Sequence, residues 1–191
     1  MMGMLPVLFL DRDGVIIENR AHYVRSWEDV HFFPSALPAL QLAASLPHRI
    51  VIVTNQSAVG RGFISQDEAE ELNQQIVHVI ESAGGRTDGV FMCPHAPDEN
   101  CDCRKPKPGL LLQAARELPI RLQDSVLIGD ALSDLLAGQA AGIKDLILVK
   151  TGRGIDQARL DWSALQKPFR IVDDFASALT AFPDIFGQFP K

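Results

Sequence analysis

Five apolar runs punctuate the chain, and most of them close on polar residues. Residues 7–11 read VLFLD, 49–57 RIVIVTNQS, 124–130 DSVLIGD and 145–152 DLILVKTG, with a weaker run, FRIV, at 169–172. Apolar stretches of this length without polar alternation predict strands buried on both faces. Between them, helical periodicity covers 35–46, 65–84, 107–119 and 132–142. The second helix opens with a capping box, Ser65 followed by Glu68, and stops at Gly84-Gly85. Strands alternating with helices predict right-handed βαβ units, and hence an α/β fold: a Rossmann-like open parallel sheet with helices on both faces. The 191 residues suit one domain spanning 1–191, with no internal repeat or low-complexity tract.

In a sheet of this kind, ligands bind beyond the carboxyl ends of the strands, where the strand order switches. The residues that close the runs therefore carry the chemistry. FLDRDGV sets Asp11 and Asp13 two residues apart, with Gly14 letting the chain turn away. One carboxylate of such a pair can attack as a nucleophile while the other moves a proton. VTNQS places Thr54, Asn55, Gln56 and Ser57 at a second strand end, where a hydroxyl, amides and backbone N–H groups can cradle phosphate oxygens. IGDALSD adds Asp130 and Asp134, oxygen ligands for a hard cation. Each motif alone has an ordinary alternative: strand-end acids, an Asx turn, or for Asp134 a helix cap.

Charge narrows the choice. The formal net charge is −6 and the pI is near 5.3, which argues against a broad nucleic-acid-binding surface but leaves room for a small anionic substrate in a local positive pocket. The apolar opening, MMGMLPVLFLDRD, is too short for a signal peptide, and no stretch approaches a membrane span. A cytoplasmic protein is expected, and three crowded cysteines suit a reducing compartment better than a disulfide framework.

Those cysteines lie in CPHAPDENCDCRKPKPG, where Cys93, His95, Cys101 and Cys103 form C-x-H-x5-C-x-C. Four soft or borderline ligands so close together match a closed tetrahedral zinc site, although the spacing is not that of a zinc finger. The C-x-x-C of thioredoxin-like redox sites is absent. Buried structural cysteines beside a surface histidine are the alternative.

Taken in order, D-x-D, T-N-Q-S, R-K-P and G-D-x-x-x-D resemble the haloacid dehalogenase superfamily of aspartate-nucleophile phosphatases, over roughly residues 7–152. The resemblance implies that Asp11 attacks phosphorus to give an aspartyl-phosphate and that Asp13 is the general acid and later the base. It also implies that Thr54 holds the transferring phosphoryl group, that Lys105 neutralises its charge, and that magnesium sits on Asp11, the Asp13 carbonyl and Asp130. Asp134 is at most a supporting residue. Many relatives carry a basic residue where this chain has Ala131, which leaves that role with Lys105 and Arg104.

The cysteine segment is similar to the structural zinc loop of two branches, the small heptose 1,7-bisphosphate phosphatases and the histidinol-phosphate phosphatases. In both, the loop shapes the substrate entrance and would present Arg104 and Lys105 to the phosphate. TNQSAVGRG and the long loop after the first strand favour the heptose branch, since the histidinol-phosphate enzymes usually have Asp at the Ser57 position. The expected activity is then a magnesium-dependent 7-phosphatase of D-glycero-D-manno-heptose 1,7-bisphosphate, in heptose biosynthesis for lipopolysaccharide precursors. The expected substrate contacts are Asn19, His22, Tyr23, Thr54, Asn55, Gln56, Ser57, Arg104 and Lys105. A monomer is expected, and a zinc-stabilised binding module is the non-enzyme alternative.

Other residues carry no chemistry in this reading. His31, His48 and His78 are expected in surface or packing roles. Trp27 and Phe32-Phe33 are expected to anchor the loop after the first strand, and Trp162, Phe182, Phe186 and Phe189 to pack a final helix or meet another subunit.

Overall fold

The computed structural model describes residues 4–187, so Phe189 lies outside them. In chain order the elements are β1 (Val7–Leu10), α1 (Ala36–Ala43), β2 (Arg49–Asn55), α2 (Ser57–Gly60), α3 (Gln66–Ser82), β3 (Gly89–Cys93) and α4 (Gly109–Glu117). They continue with β4 (Val126–Gly129), α5 (Leu132–Ala140), β5 (Asp145–Val149), α6 (Gly154–Gln157), β6 (Arg170–Val172), α7 (Phe175–Ala181) and α8 (Pro183–Phe186). All six strands are parallel, in the order β3-β2-β1-β4-β5-β6.

The strands alternate their side chains between two cores. Leu8, Leu10, Ile50, Ile52, Ile128, Ile147 and Val149 pack one face with residues of α1, α3 and α7. Val7, Phe9, Val51, Val53, Leu127, Leu146 and Leu148 pack the other with residues of α4 and α5. Both faces are therefore dry, which is why the strands read as unbroken apolar runs. The capping box forms as expected: Ser65 accepts from the Glu68 N–H at 3.2 Å, and Glu68 accepts from the Ser65 N–H at 2.7 Å.

The sequence reading missed β3. This strand lies at the sheet edge, starts on a glycine, and has only two of its five residues buried, Phe91 and Cys93. An apolar-run signal needs cover on both faces, and an edge strand half lacks it. Ser57 also moves, from the end of a strand to the first turn of α2.

The aromatic residues divide. Trp27 is 42% exposed and lines a shallow groove with Gln74, Gln75 and His78 of α3, so it rests on the surface rather than anchoring the loop in a core. Phe32 does anchor it, packed against the first core, and Tyr23 is tilted against Phe63 at 5.7 Å between centroids. Phe182 and Phe186 pack with α7 on the first core, and Trp162 stacks on Phe169 at 4.5 Å. Among the described residues, no helix is long and apolar enough to cross a membrane.

Candidate active site

The chain runs from β1 outward to β2 and β3, then returns to place β4 on the other side of β1. This reversal opens a crevice at the carboxyl ends of β1 and β4. Asp11 ends β1 and Asp130 ends β4. Asp11, Asp130 and Asp134 are all buried, with carboxylate oxygens within 4.8 Å of one another.

Lys105 enters this acidic cluster from the loop before α4. Its Nζ donates to Asp11 Oδ1 at 2.8 Å and to the Val53 carbonyl at 2.9 Å, and it pairs with Asp134 Oδ1 at 2.7 Å. An ammonium has three N–H bonds, so all of its donors are spent on protein acceptors. Asn55 fixes the lysine's backbone, accepting from Lys105 N and donating to Lys105 O, both at 3.1 Å. Asp134 does two jobs, since its Oδ2 also accepts from the Ala131 N–H at the start of α5.

Burial governs the electrostatics. Desolvation pushes the Asp11 carboxyl up to about 8, against the pull of Lys105 and with the help of Asp134, Asp130 and Asp13. Desolvation also opposes the Lys105 ammonium, but Asp11 and Asp134 outweigh it and hold its pKa above the usual range. Asp130 is raised by burial and by Asp134, with Arg153 pulling the other way.

Asp13 sits on a second network. Gln56 Nε2 donates to Asp13 Oδ2 at 3.0 Å and to Thr54 Oγ1 at 2.7 Å. The fully buried Arg12 forks onto both Asp13 oxygens, at 3.0 and 3.2 Å, and its third nitrogen reaches Asn73 Oδ1 at 2.7 Å. Thr54, expected to touch the phosphoryl group, is completely covered, and its hydroxyl lies 3.4 Å from Asp13 Oδ2.

Asp11, Asp13, Asn19, Tyr23, Asn55, Gln56, Ser57, Arg104 and Lys105 line one cavity of about 430 Å³. His22 does not join them. A tight turn closed by the Tyr23 N–H on the Arg20 carbonyl, with Tyr23 at φ 66°, leaves His22 exposed, and its carbonyl accepts from Arg25.

Two contributions escaped the sequence reading. Arg12 stands between the two acids of D-x-D. Arg153 follows β5, where its Nε and Nη2 grip Asp130 at 3.3 and 3.1 Å. Its signal is present in the sequence: T-G-R follows the fourth apolar run just as T-N-Q closes the second.

The residues present fit a hard divalent cation. The cluster is all carboxylate oxygen, as such an ion requires. Nearby, Asn19 Oδ1 is buried with no hydrogen-bond partner. A Cβ on Gly14 or Gly152 would run into both Asn19 Oδ1 and Asp130 Oδ2, so these acceptors face one small space kept clear by glycines. Both glycines have positive φ as well, 92° and 58°.

The cysteine segment fits a zinc ion. Cys93 Sγ lies 3.6 Å from Cys101 Sγ, 3.0 Å from Cys103 Sγ and 3.6 Å from His95 Nδ1. Cys103 Sγ lies 3.5 Å from Cys101 Sγ and 3.2 Å from His95 Nδ1. Zinc–sulfur bonds near 2.3 Å give tetrahedral edges of about 3.8 Å, so the ligands stand nearly at the corners. None is oxidised to a disulfide. Directly after Cys103, Arg104 donates to Ser57 Oγ at 2.8 Å and to the His95 carbonyl at 3.0 Å, tying the clip to the pocket wall.

Comparison with known proteins gives concordant matches. A HAD-hydrolase-like family model matches residues 102–178. The D-glycero-beta-D-manno-heptose-1,7-bisphosphate 7-phosphatase of Pasteurella multocida is 40% identical over 161 residues, covering 81% of this chain and 86% of the relative. Its namesake from Helicobacter pylori strain 26695 is 43% identical, covering 78% and 86%. The crystal structure of D,D-heptose 1,7-bisphosphate phosphatase from B. bronchiseptica, complexed with magnesium and phosphate, superposes with a TM-score of 0.86. It is 30% identical, over 94% of this chain and 99% of that one.

Proposed function

Because the chain belongs to the D-glycero-β-D-manno-heptose-1,7-bisphosphate 7-phosphatase family of haloacid dehalogenase-like hydrolases, we propose that it removes the 7-phosphate of that bisphosphate. It is a phosphoric monoester hydrolase. The observation that carries the reading is the buried Asp11, 2.8 Å from Lys105, at the switch point between β1 and β4.

In this reading a carboxylate oxygen of Asp11 attacks the phosphorus and the bond to the sugar oxygen breaks, leaving an aspartyl-phosphate. Asp13 donates a proton to the departing sugar oxygen, then takes one from the water that hydrolyses the acyl phosphate. Arg12, Gln56 and Thr54 hold Asp13 for both steps. Lys105 keeps positive charge beside the nucleophile, where the low-dielectric surroundings make it count most. Asp11, the Asp13 carbonyl and Asp130 would hold magnesium, whose charge offsets the repulsion between carboxylate and phosphate. Asn19, Tyr23, Asn55, Gln56, Ser57 and Arg104 form the substrate walls, and one domain spanning the chain carries the whole reaction.

The test is a comparison of kcat/KM on heptose 1,7-bisphosphate, histidinol phosphate and other phosphosugars with magnesium present. The bisphosphate is expected to lead by at least about tenfold. A lead for histidinol phosphate would move the protein to the neighbouring branch.

The four-ligand clip gives its own prediction. Elemental analysis is expected to find about one zinc per chain, lost in Cys101→Ser. The melting temperature should then fall by several degrees, since each kcal/mol is worth about 2–4 °C in a chain of this size. An unchanged melting curve in a zinc-free variant would remove the structural role.

A further inference from the structure

Four cations line the pocket, and their existing bonds set them apart. Lys105 has no N–H left to offer. Arg20 donates to the Asp29 carbonyl at 2.8 Å, meets His31, and stands 3.5 Å from Glu18, so its charge is answered within its own loop. Arg104 bonds only to neutral acceptors, both through Nη1, and keeps its Nε and Nη2 for the substrate wall on the β2 side of the pocket already assigned to it. Arg153 uses Nε and one Nη2 hydrogen on Asp130, which leaves both hydrogens of Nη1 and the second of Nη2 free. Its side chain is 57% exposed.

The Arg153 backbone is not free to drift. Its N–H donates to Asp130 Oδ2 at 2.9 Å, and Thr151 Oγ1 donates to the Gly14 carbonyl at 2.6 Å. Gly152, between them, lies so close to Gly14 that any side chain there would collide with it. The loop after β5 is thus seated on the turn that follows the nucleophile. In the strand order, β5 and β2 lie on opposite sides of β1, so Arg153 faces the crevice from the side away from Thr54-Asn55-Gln56.

A guanidinium presents its donors along more than one edge, so it can hold a carboxylate with one edge and a phosphate with another. The reacting phosphorus must reach Asp11, which is only 5% exposed at the deep end of the pocket. Arg153 lines the same pocket with its side chain 57% exposed, so its unused donors are open to a group that does not react.

We propose that Arg153 is a specificity-determining residue, one edge anchored on Asp130 and the other binding the substrate phosphate that is not hydrolysed. This rests on the bisphosphatase reading above. The test measures kcat and KM for wild type, Arg153→Gln and Arg153→Lys on the bisphosphate and on the same sugar phosphorylated only at the reacting position, alongside calorimetric titration of each protein with magnesium. In Arg153→Gln, selectivity for the bisphosphate is expected to fall about tenfold, the scale of one charge-assisted hydrogen bond, through the KM of the bisphosphate. Arg153→Lys should recover part of it. An equal loss on both substrates with weakened magnesium binding would assign Arg153 to holding Asp130 alone and overturn the proposal, as would selectivity that does not move. A wild-type enzyme with no preference for the bisphosphate would instead overturn the reading beneath it.

Discussion

Asp11→Asn is expected to stop turnover, lowering kcat by at least about 10⁴-fold while the fold stays intact. The amide keeps the shape of the side chain and its place at the end of β1, but it is too weak a nucleophile to take the phosphoryl group. Stability should move the other way or not at all. Burial works against the Asp11 carboxylate, so replacing it with a neutral isostere removes a cost that only Lys105 and a bound cation offset. The metal-free variant should therefore melt at or above the wild-type temperature. Rapid-quench detection of phosphoprotein in the wild type and its absence in Asp11→Asn would complete the test. A variant that retains turnover with magnesium would remove Asp11 from the chemistry.

Lys105→Met is the second large effect, and it should damage both stability and rate. The ammonium is almost wholly buried and bridges Asp11 to Asp134. Deleting one partner of a buried ion pair leaves uncompensated charge and typically costs about 3–5 kcal/mol. Losing a preorganised cation beside the reacting group typically lowers the rate by about 10²–10³-fold. Magnesium supplies a diagnostic, because the variant's carboxylate cluster has lost its internal cation. Thermal shifts on adding magnesium should be larger for Lys105→Met than for wild type. Equal shifts would mean that Lys105 and the metal answer separate charges.

The parts legible in the sequence were those written locally. Apolar runs closed by Asp11, Thr54 and Asp130 announce both the strands and the edge to which they deliver chemistry, because a doubly covered strand must be apolar until it leaves the sheet. The capping box of α3 is equally local. What stayed hidden depends on partners far along the chain. Arg12 is a fully buried arginine, against the general habit of charged residues, and only Asn73, 61 positions away, completes its bonding. Lys105 could be matched to a motif, but the saturation of its three donors required knowing that Asp134 lies beside it. β3 escaped because an edge strand lacks the unbroken burial that marks its neighbours. His22 failed for a geometric reason, since a turn rather than composition decides which residues of a loop face inward.

The seating of the β5 loop on the β1 turn also bears on when the enzyme becomes active. Asp11 is made 94 positions ahead of the Lys105 that meets it, and Gly14 137 positions ahead of the Thr151 that ties down its turn. With synthesis at about 5–20 residues per second, the nucleophile waits on the order of ten seconds for the segments that complete it. A nascent chain stalled before Thr151 carries the attacking carboxylate but neither the grip on Asp130 nor the closed turn.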